Sequence, residues 1–354
     1  MYRRDELEAV SEADHDAVFG STFARYSEAE LEEFLRPLDD RLRLNGVDAR
    51  ELFAGASVLD AGCGGGRGSL LMLRAGAAQV TALDVSQQNV DSTRMVIERA
   101  GFADARVELG SLESLPFEDE SFDFVWCNGV LMHTAVPSAT LSEIVRVLRK
   151  GGRAWIYVYG SGGMYWRFMS TFRRTFANVH PDLLVEALAE EGLPTGRVAE
   201  MLDDWKAPFL RAYENALFES ALIELGCDVH RLLRGMPYDT SEQMFCGVSQ
   251  EFIGEGDLRY WVTRRHEALG ALAATTVEKL NGSHLVESPE SRVLSAPAVE
   301  ERVEKALRTF ERDYSSNALD GISRAARAQL LLRDVFLPSP SEETLLVCLR
   351  PLEN

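Results

Sequence analysis

The residues of this chain that are best suited to chemistry are two aspartates and the glycines between them. Asp60 ends a short apolar run, and five glycines follow within the seven positions 62–68. Asp84 ends a second apolar run. Glycine backbone can approach a ligand closely and can adopt positive φ, and a carboxylate about twenty residues beyond such glycines can accept hydrogen bonds from ribose hydroxyls. The pattern predicts a site for a nucleotide-like ligand, at a turn between a strand and a helix.

The spacing of the glycines is not that of a dinucleotide fingerprint. Counted from Gly62, the position that the fingerprint needs as glycine is Arg67. The pattern that does fit has Asp60, Gly62, Gly64 and Gly66 at every second position. It resembles motif I of the class I S-adenosylmethionine (SAM) methyltransferases.

Further motifs of that family follow in the family's order. Residues 110–126 are similar to its loop before strand four, with Ser111 where an acid that contacts adenine is common. Residues 128–133 resemble the segment that lines the methyl-transfer cleft, and residues 148–152 resemble the turn into strand five. The resemblance covers about residues 55–160 and implies that the chain binds SAM and releases S-adenosylhomocysteine.

The resemblance also implies which residues hold the cofactor. The glycine loop and Asp60 would hold the methionine end, Asp84 the ribose, and Ser111 with Leu112 the adenine. The expected cofactor-binding set is Asp60, Gly62, Cys63, Gly64, Gly66, Asp84, Val85, Ser86, Ser111, Leu112, Asn128 and Gly129.

A general base is needed only when the methyl acceptor is a hydroxyl or an acidic carbon. His133 is the first candidate base because it lies in the cleft segment and its unperturbed pKa is near physiological pH; a histidine that packs at a helix start is an equal alternative. Tyr159 is the second catalytic candidate. The expected acceptor-binding residues are Tyr26, Tyr165 and Trp166, together with His133. For the aromatic residues, simple packing in the core is the alternative.

The chemistry requires a sheet that brings these loops together. Strands alternate with helices over residues 57–159, with helices at about 66–75, 86–100 and 138–149, which predicts an α/β fold with parallel strands one to five. The resemblance implies a Rossmann-like seven-stranded mixed sheet with a helical N-terminal segment, a helical insertion after strand five and an α-helical C-terminal extension. The expected divisions are a helical lid at 1–50, a SAM-binding core at 51–160, the insertion with strand six at 160–235, and strand seven with the extension at 236–354.

Two points of this architecture stay open. Strand seven is either residues 258–263 or residues 344–349. The insertion, residues 160–210, is expected to roof the acceptor pocket with Tyr165, Trp166 and Phe168, because it leaves strand five at the edge where such sheets bind ligands. A dimer interface is the alternative for the insertion.

Composition excludes several partners. The formal charge of −19 over 354 residues repels polyanions, and the sequence has no long basic stripe, so we expect no nucleic acid. No apolar run approaches the length of a membrane span. The five cysteines are scattered without metal-ligand spacing, and Cys127 with Asn128 stands where a metal site would need an acid. We therefore expect no metal, reduced thiols and a cytoplasmic monomer or homodimer.

The function that these features predict is methyl transfer from SAM to a small molecule, in specialised (natural product) metabolism. The alternative is a protein that binds SAM or S-adenosylhomocysteine without methylating, as a cyclisation catalyst or a regulatory partner, since fold does not imply reaction. A protein or RNA methyltransferase is a third hypothesis; the acidic charge argues against RNA, and the sequence has no recognition module.

Overall fold

A computed structural model describes most of the first two thirds of the chain. It covers residues 46–232 except 103–104, 161–172, 174–175, 177–178, 191, 194 and 214, together with Leu35, Leu38, Asp39, Leu42 and residues 344–349. Three expected acceptor-binding residues, Tyr26, Tyr165 and Trp166, lie outside the described residues, as do Phe168 and residues 258–263.

The described elements alternate as the sequence predicts. The helices are α1 (Ala49–Phe53), α2 (Arg67–Arg74), α3 (Gln87–Arg99), α4 (Pro137–Val147), α5 (Pro181–Glu190), α6 (Thr195–Lys206) and α7 (Asn215–Glu224). The strands are β1 (Ser57–Ala61), β2 (Gln79–Asp84), β3 (Arg106–Leu109), β4 (Phe122–Asn128), β5 (Leu148–Gly160), β6 (Ala212–Tyr213), β7 (Asp228–Leu232) and β8 (Thr344–Leu349). A 3₁₀ turn, Leu131–His133, follows β4.

One sheet contains all of these strands. Its order is β3-β2-β1-β4-β5-β8-β7, and the two-residue strand β6 pairs with the end of β5. Strands β1 to β5 are parallel to one another. The prediction of five parallel strands with three intervening helices is confirmed. Strand β8 runs antiparallel between β5 and β7. Residues 344–349, one of the two candidates for strand seven, therefore form this antiparallel strand.

The parallel strands form because their residues are apolar on both faces, as a sheet covered by helices requires. Four of the five residues of β1 are buried. One face carries the aromatic side chains Phe53, Trp126 and Trp155 in a single apolar cluster, and the two tryptophan rings stack at a centroid distance of 5.0 Å. Two of the described leucines of the N-terminal segment, Leu38 and Leu42, join this cluster, so that part of the predicted lid packs on the sheet.

No helix in the described part of the chain is both long and apolar enough to cross a membrane.

Candidate functional site

A glycine loop joins the carboxyl end of β1 to α2. Gly62, Gly64 and Gly66 have φ values of 87°, 52° and 83°, which residues with side chains rarely adopt. A Cβ on Gly62 would lie 2.5 Å from a methyl carbon of Val130. The loop after β1 is therefore in close contact with the segment after β4, and glycine is required there both for backbone conformation and for space.

Asp60, at the end of β1, points into the protein. Its side chain is buried and accepts a hydrogen bond of 2.6 Å from the Ser69 hydroxyl in the first turn of α2. Burial, with repulsion from Asp84 as a smaller contribution, raises the pKa of Asp60 to about 7. The carboxyl group thus ties β1 to α2. Its predicted contact with the methionine end of SAM stays a prediction.

Asp84, at the end of β2, organises the glycine loop. Its carboxylate accepts hydrogen bonds from the Gly64 amide at 2.9 Å, the Ser86 amide at 2.9 Å and the Asn89 side-chain amide at 3.1 Å. Ser86 caps α3. A carboxylate with several donors is held in one orientation, so the expected ribose-binding acid is in place before any ligand arrives.

The thiols near the site are unreactive in the folded state. The Thr93 hydroxyl lies 2.8 Å from the Gly64 carbonyl and 3.4 Å from the sulfur of Cys63. Burial raises the pKa of the Cys63 thiol well above its usual range and that of Cys127 to about 12. Because the thiolate is the nucleophilic form, burial disfavours the reactive state of both cysteines.

The loop before β4, residues 110–121, is held by a charged group that sequence reasoning missed. Arg146, on α4, donates to the carbonyls of Leu115 at 3.1 Å and Phe117 at 2.8 Å and pairs with Glu143 at 2.7 Å. Glu143 in turn accepts from the Leu115 amide at 2.7 Å. The only sequence signal is the Glu-x-x-Arg spacing on one helix face.

Within this loop, the two residues expected to frame adenine differ in their exposure to solvent. Ser111 is exposed, and its hydroxyl accepts a hydrogen bond of 3.2 Å from the Glu113 amide. Leu112 is buried in the apolar cluster that also contains Leu83 and Leu115. The exposed Val85, after β2, has 42% of its surface accessible. The apolar surface near the end of β2 therefore comes from Val85 more than from Leu112.

The last residue of β4, Asn128, and the residue after it, Gly129, are tied to β5. The Asn128 side-chain oxygen accepts a hydrogen bond of 3.1 Å from the Trp155 indole, and the Gly129 amide donates 3.1 Å to the Tyr157 carbonyl. Both expected cofactor-binding residues thus have defined orientations at the carboxyl edge of the sheet.

The two catalytic candidates come together through a third residue. His133 is buried, with Nδ1 2.8 Å from the Phe209 carbonyl oxygen and Nε2 3.3 Å from Oδ1 of Asp203. The Tyr159 hydroxyl donates to the other oxygen of Asp203 at 3.1 Å. Asp203 lies on α6, in the insertion, and nothing in its sequence context separates it from the other acids of that helix. A predicted site residue on β5 and one after β4 are therefore joined by the insertion.

A second contact joins the insertion to the same segment. The Arg211 guanidinium donates to the carbonyls of Thr134 and Ala135 and lies over the ring of Phe209. Residues 203–211 thus pack directly on the segment after β4.

These loops meet where parallel α/β sheets bind ligands, at the carboxyl ends of β1, β2 and β4. Glycine backbone that a Cβ would crowd and a fixed carboxylate at the end of β2 are features that fit SAM. In the described part of the chain, no group of three or more His, Cys, Asp or Glu side chains is arranged to hold a metal ion.

Comparison with known families agrees with this geometry. Residues 59–156 match the family model described as "Methyltransferase domain". These residues are therefore similar to a methyltransferase domain. The matched residues run from β1 into β5 and include the glycine loop, Asp84 and the segment after β4, and they stop before the insertion that supplies Asp203.

Curated relatives of the methyltransferase domain match over part of their length. The chain is 42% identical over 117 residues to a ubiquinone biosynthesis O-methyltransferase of Xanthomonas oryzae pv. oryzae, covering 32% of this chain and 48% of that protein. It is 40% identical over 109 residues to an uncharacterised 37.1 kDa protein of transposon TN4556 from Streptomyces fradiae, covering 30% of this chain and 31% of that protein. The chain thus spans half or less of the length of these relatives.

Among solved structures, the chain is similar to a SAM-dependent methyltransferase from Aquifex aeolicus. The similarity has 19% sequence identity and a TM-score of 0.35, and it covers 58% of this chain and 92% of that chain.

Proposed function

We propose that this protein transfers a methyl group from SAM to a small-molecule acceptor. The observation that carries the proposal is the convergence of the glycine loop, Asp84 and the His133 segment at one sheet edge within a methyltransferase domain. The Xanthomonas relative is named as an O-methyltransferase, which supports the same class of reaction. Specialised metabolism in the cytoplasm, without nucleic acid, is the setting we propose.

SAM, when bound, supplies a methyl group whose leaving group is a neutral thioether. The task of the protein is therefore chiefly to align donor and acceptor. The backbone of the glycine loop and Asp84 would hold the cofactor, because their positions are set by hydrogen bonds within the protein. Tyr159 and His133 lie at the ends of the adjacent strands, on the side where an acceptor would enter.

The insertion would complete the acceptor pocket. Asp203 and Arg211 both contact the cleft segment, which supports a roof over the pocket rather than an isolated surface element. A roof excludes water and holds the acceptor in line. Trp166, in the same insertion, is expected to contact the acceptor, so Trp166→Ala should raise the KM for the acceptor and leave SAM affinity nearly intact.

Calorimetric titration of the full chain with SAM and with S-adenosylhomocysteine tests the cofactor claim. Binding at micromolar levels is expected, and folded protein that gives neither heat nor a thermal shift with either ligand would refute it. Transfer of a radiolabelled methyl group from SAM to small phenols, alcohols and amines then tests the reaction. Binding without transfer to any acceptor would favour the non-methylating alternative.

A further inference from the structure

The cluster of His133, Tyr159 and Asp203 is assembled from three distant parts of the chain. His133 follows β4, Tyr159 lies near the end of β5, and Asp203 is on α6 of the insertion. The His133 and Tyr159 rings meet edge to face, with centroids 5.8 Å apart. The side chain of His133 is 4% exposed and that of Asp203 is 29% exposed, so the cluster runs from the protein interior towards its surface.

Hydrogen-bonding rules determine where protons lie in this cluster. A carbonyl oxygen only accepts, so Nδ1 of His133, at 2.8 Å from the Phe209 carbonyl, carries a proton. In a neutral ring, Nε2 would then turn a lone pair towards the Asp203 carboxylate at 3.3 Å. Two lone pairs repel each other, whereas a proton between them gives a charge-assisted contact. The contact of Nε2 with the Asp203 carboxylate is therefore that of an ion pair with an imidazolium ring.

The second oxygen of Asp203 determines whether the Tyr159 hydroxyl can donate to a ligand or only accept from it. The phenol donates its single proton to that oxygen at 3.1 Å. A hydroxyl that has given its proton away interacts with any further group as an acceptor. A ligand group that hydrogen-bonds to the Tyr159 oxygen must therefore bring a proton, as a hydroxyl or an amine N–H does.

We infer that Asp203 is a positioning residue of the transfer site, that it holds His133 and Tyr159 as one proton-handling chain, and that the acceptor class is a hydroxyl. The inference rests on the proposed function. Asp203 acts through Tyr159, which is the member of the cluster that would touch the acceptor. The insertion, which lies outside the matched methyltransferase domain, thereby completes the chemistry of the domain.

The reaction balances as follows. The acceptor oxygen forms a bond to the methyl carbon as the bond from that carbon to sulfur breaks. The acceptor O–H becomes strongly acidic as the new bond forms, and its proton moves to the Tyr159 oxygen while the proton of Tyr159 moves to Asp203. His133 stays beside Asp203 as its ion-pair partner, and the proton leaves to solvent after the product departs. A neutral amine has a lone pair and needs no such chain to attack the methyl group.

Nitrogen NMR of the histidine rings in the full chain tests the positioning role directly. The chain has six histidines, and His133→Gln identifies the signals of His133. In the wild type at neutral pH both ring nitrogens of His133 should be protonated. In Asp203→Asn the side-chain amide can donate to Nε2, so that nitrogen should lose its proton and its resonance should move far downfield.

The matched control removes a carboxylate that also lies beside a histidine. Asp182 is 3.6 Å from Nδ1 of His180 on the exposed part of the insertion. Asp182→Asn should leave the His133 signals unchanged. Signals of His133 that are the same in wild type and Asp203→Asn would overturn the positioning role.

Kinetics with simple probes test the acceptor class. Phenol and catechol serve as hydroxyl probes, and aniline and benzylamine as amine probes. Asp203→Asn should lower kcat on the hydroxyl probes by about 100-fold, the scale of a lost acid–base contribution, with KM and S-adenosylhomocysteine affinity within about twofold of wild type. Asp203→Glu should recover part of the loss.

These experiments test the hydroxyl assignment and the proposed methyltransferase function separately. Transfer to amine probes only, or to neither set by protein that binds SAM, would overturn the hydroxyl assignment. Failure of the wild type to bind SAM or S-adenosylhomocysteine would instead refute the proposed function, while the NMR comparison would still report whether Asp203 orients His133.

Discussion

Replacing Gly62 with alanine is the sharpest test of how the glycine loop is built. The new methyl group would lie 2.5 Å and 2.6 Å from the two methyl carbons of Val130, and the backbone would keep a φ of 87°. The substitution therefore adds two penalties, one for the left-handed conformation and one for the overlap. Gly55 separates them, because it has a φ of 77° and no atom within 4 Å of an added Cβ.

The expected magnitudes follow from these contacts. A left-handed residue with a Cβ costs about 1–2 kcal/mol, and overpacking costs about 1–3 kcal/mol. Gly55→Ala should therefore lower the free energy of unfolding by about 1–2 kcal/mol. Gly62→Ala should lower it by about 2–5 kcal/mol. Val130→Ala in the Gly62→Ala background should relieve the overlap, with a favourable coupling energy of about 1–3 kcal/mol.

Urea denaturation followed by tryptophan fluorescence gives these free energies. Trp126 and Trp155 stack within the core, so their emission reports loss of the sheet. The same variants should be titrated with SAM, since a displaced segment after β4 would also weaken binding. Equal losses for Gly62→Ala and Gly55→Ala, with a coupling to Val130→Ala below about 0.5 kcal/mol, would refute the close contact of the two loops.

Three further substitutions probe charged groups. Asp84→Asn should weaken SAM binding by about 1.5–3 kcal/mol in calorimetry, because a hydrogen bond to a charged group is lost; unchanged affinity with a large loss of stability would make Asp84 purely structural. The folded-state pKa of Asp60, about 7 against 3.8 for an ordinary Asp, keeps the carboxyl group protonated while the unfolded chain ionises. Wild-type stability should therefore fall by roughly 3–4 kcal/mol relative to Asp60→Asn between pH 4 and 7, and parallel stability curves would contradict this. Arg146→Ala should lower the free energy of unfolding by about 2 kcal/mol, whereas the exposed Arg94→Ala should change it by less than about 0.5 kcal/mol; similar losses would argue against the anchoring of the loop before β4.

Sequence reasoning found the parts of the site that depend on local geometry. The glycines with positive φ and the acid at the end of β2 lie within a strand–turn–helix unit, so their spacing alone predicts their positions. Strands one to five follow from alternating apolar runs and helical periodicity. These features depend on residues that are close together in the chain.

Contacts between distant residues could not be predicted in this way. Asp203 reaches His133 across 70 positions of sequence, and an acid of an inserted helix has no spacing that marks it. The Asn128 oxygen accepts from the Trp155 indole, and the Leu112 side chain lies in the core; neither contact follows from the motif spacing, and the cofactor contacts of both residues stay predictions. Sequence periodicity shows that a residue lies near the end of a strand. It does not show which other residue its side chain contacts.

Alkylation of the buried thiols of Cys63 and Cys127 can report motions that open the folded protein. A thiol with a pKa of about 12, such as Cys127, is almost wholly protonated at pH 8, and an alkylating reagent reacts with the thiolate. Modification then waits for a local opening that returns the thiol to water. The alkylation rate of Cys63 would report how often the glycine loop opens, and that of Cys127 how often the centre of the sheet opens. Comparing the two rates shows whether the glycine loop moves independently of the core.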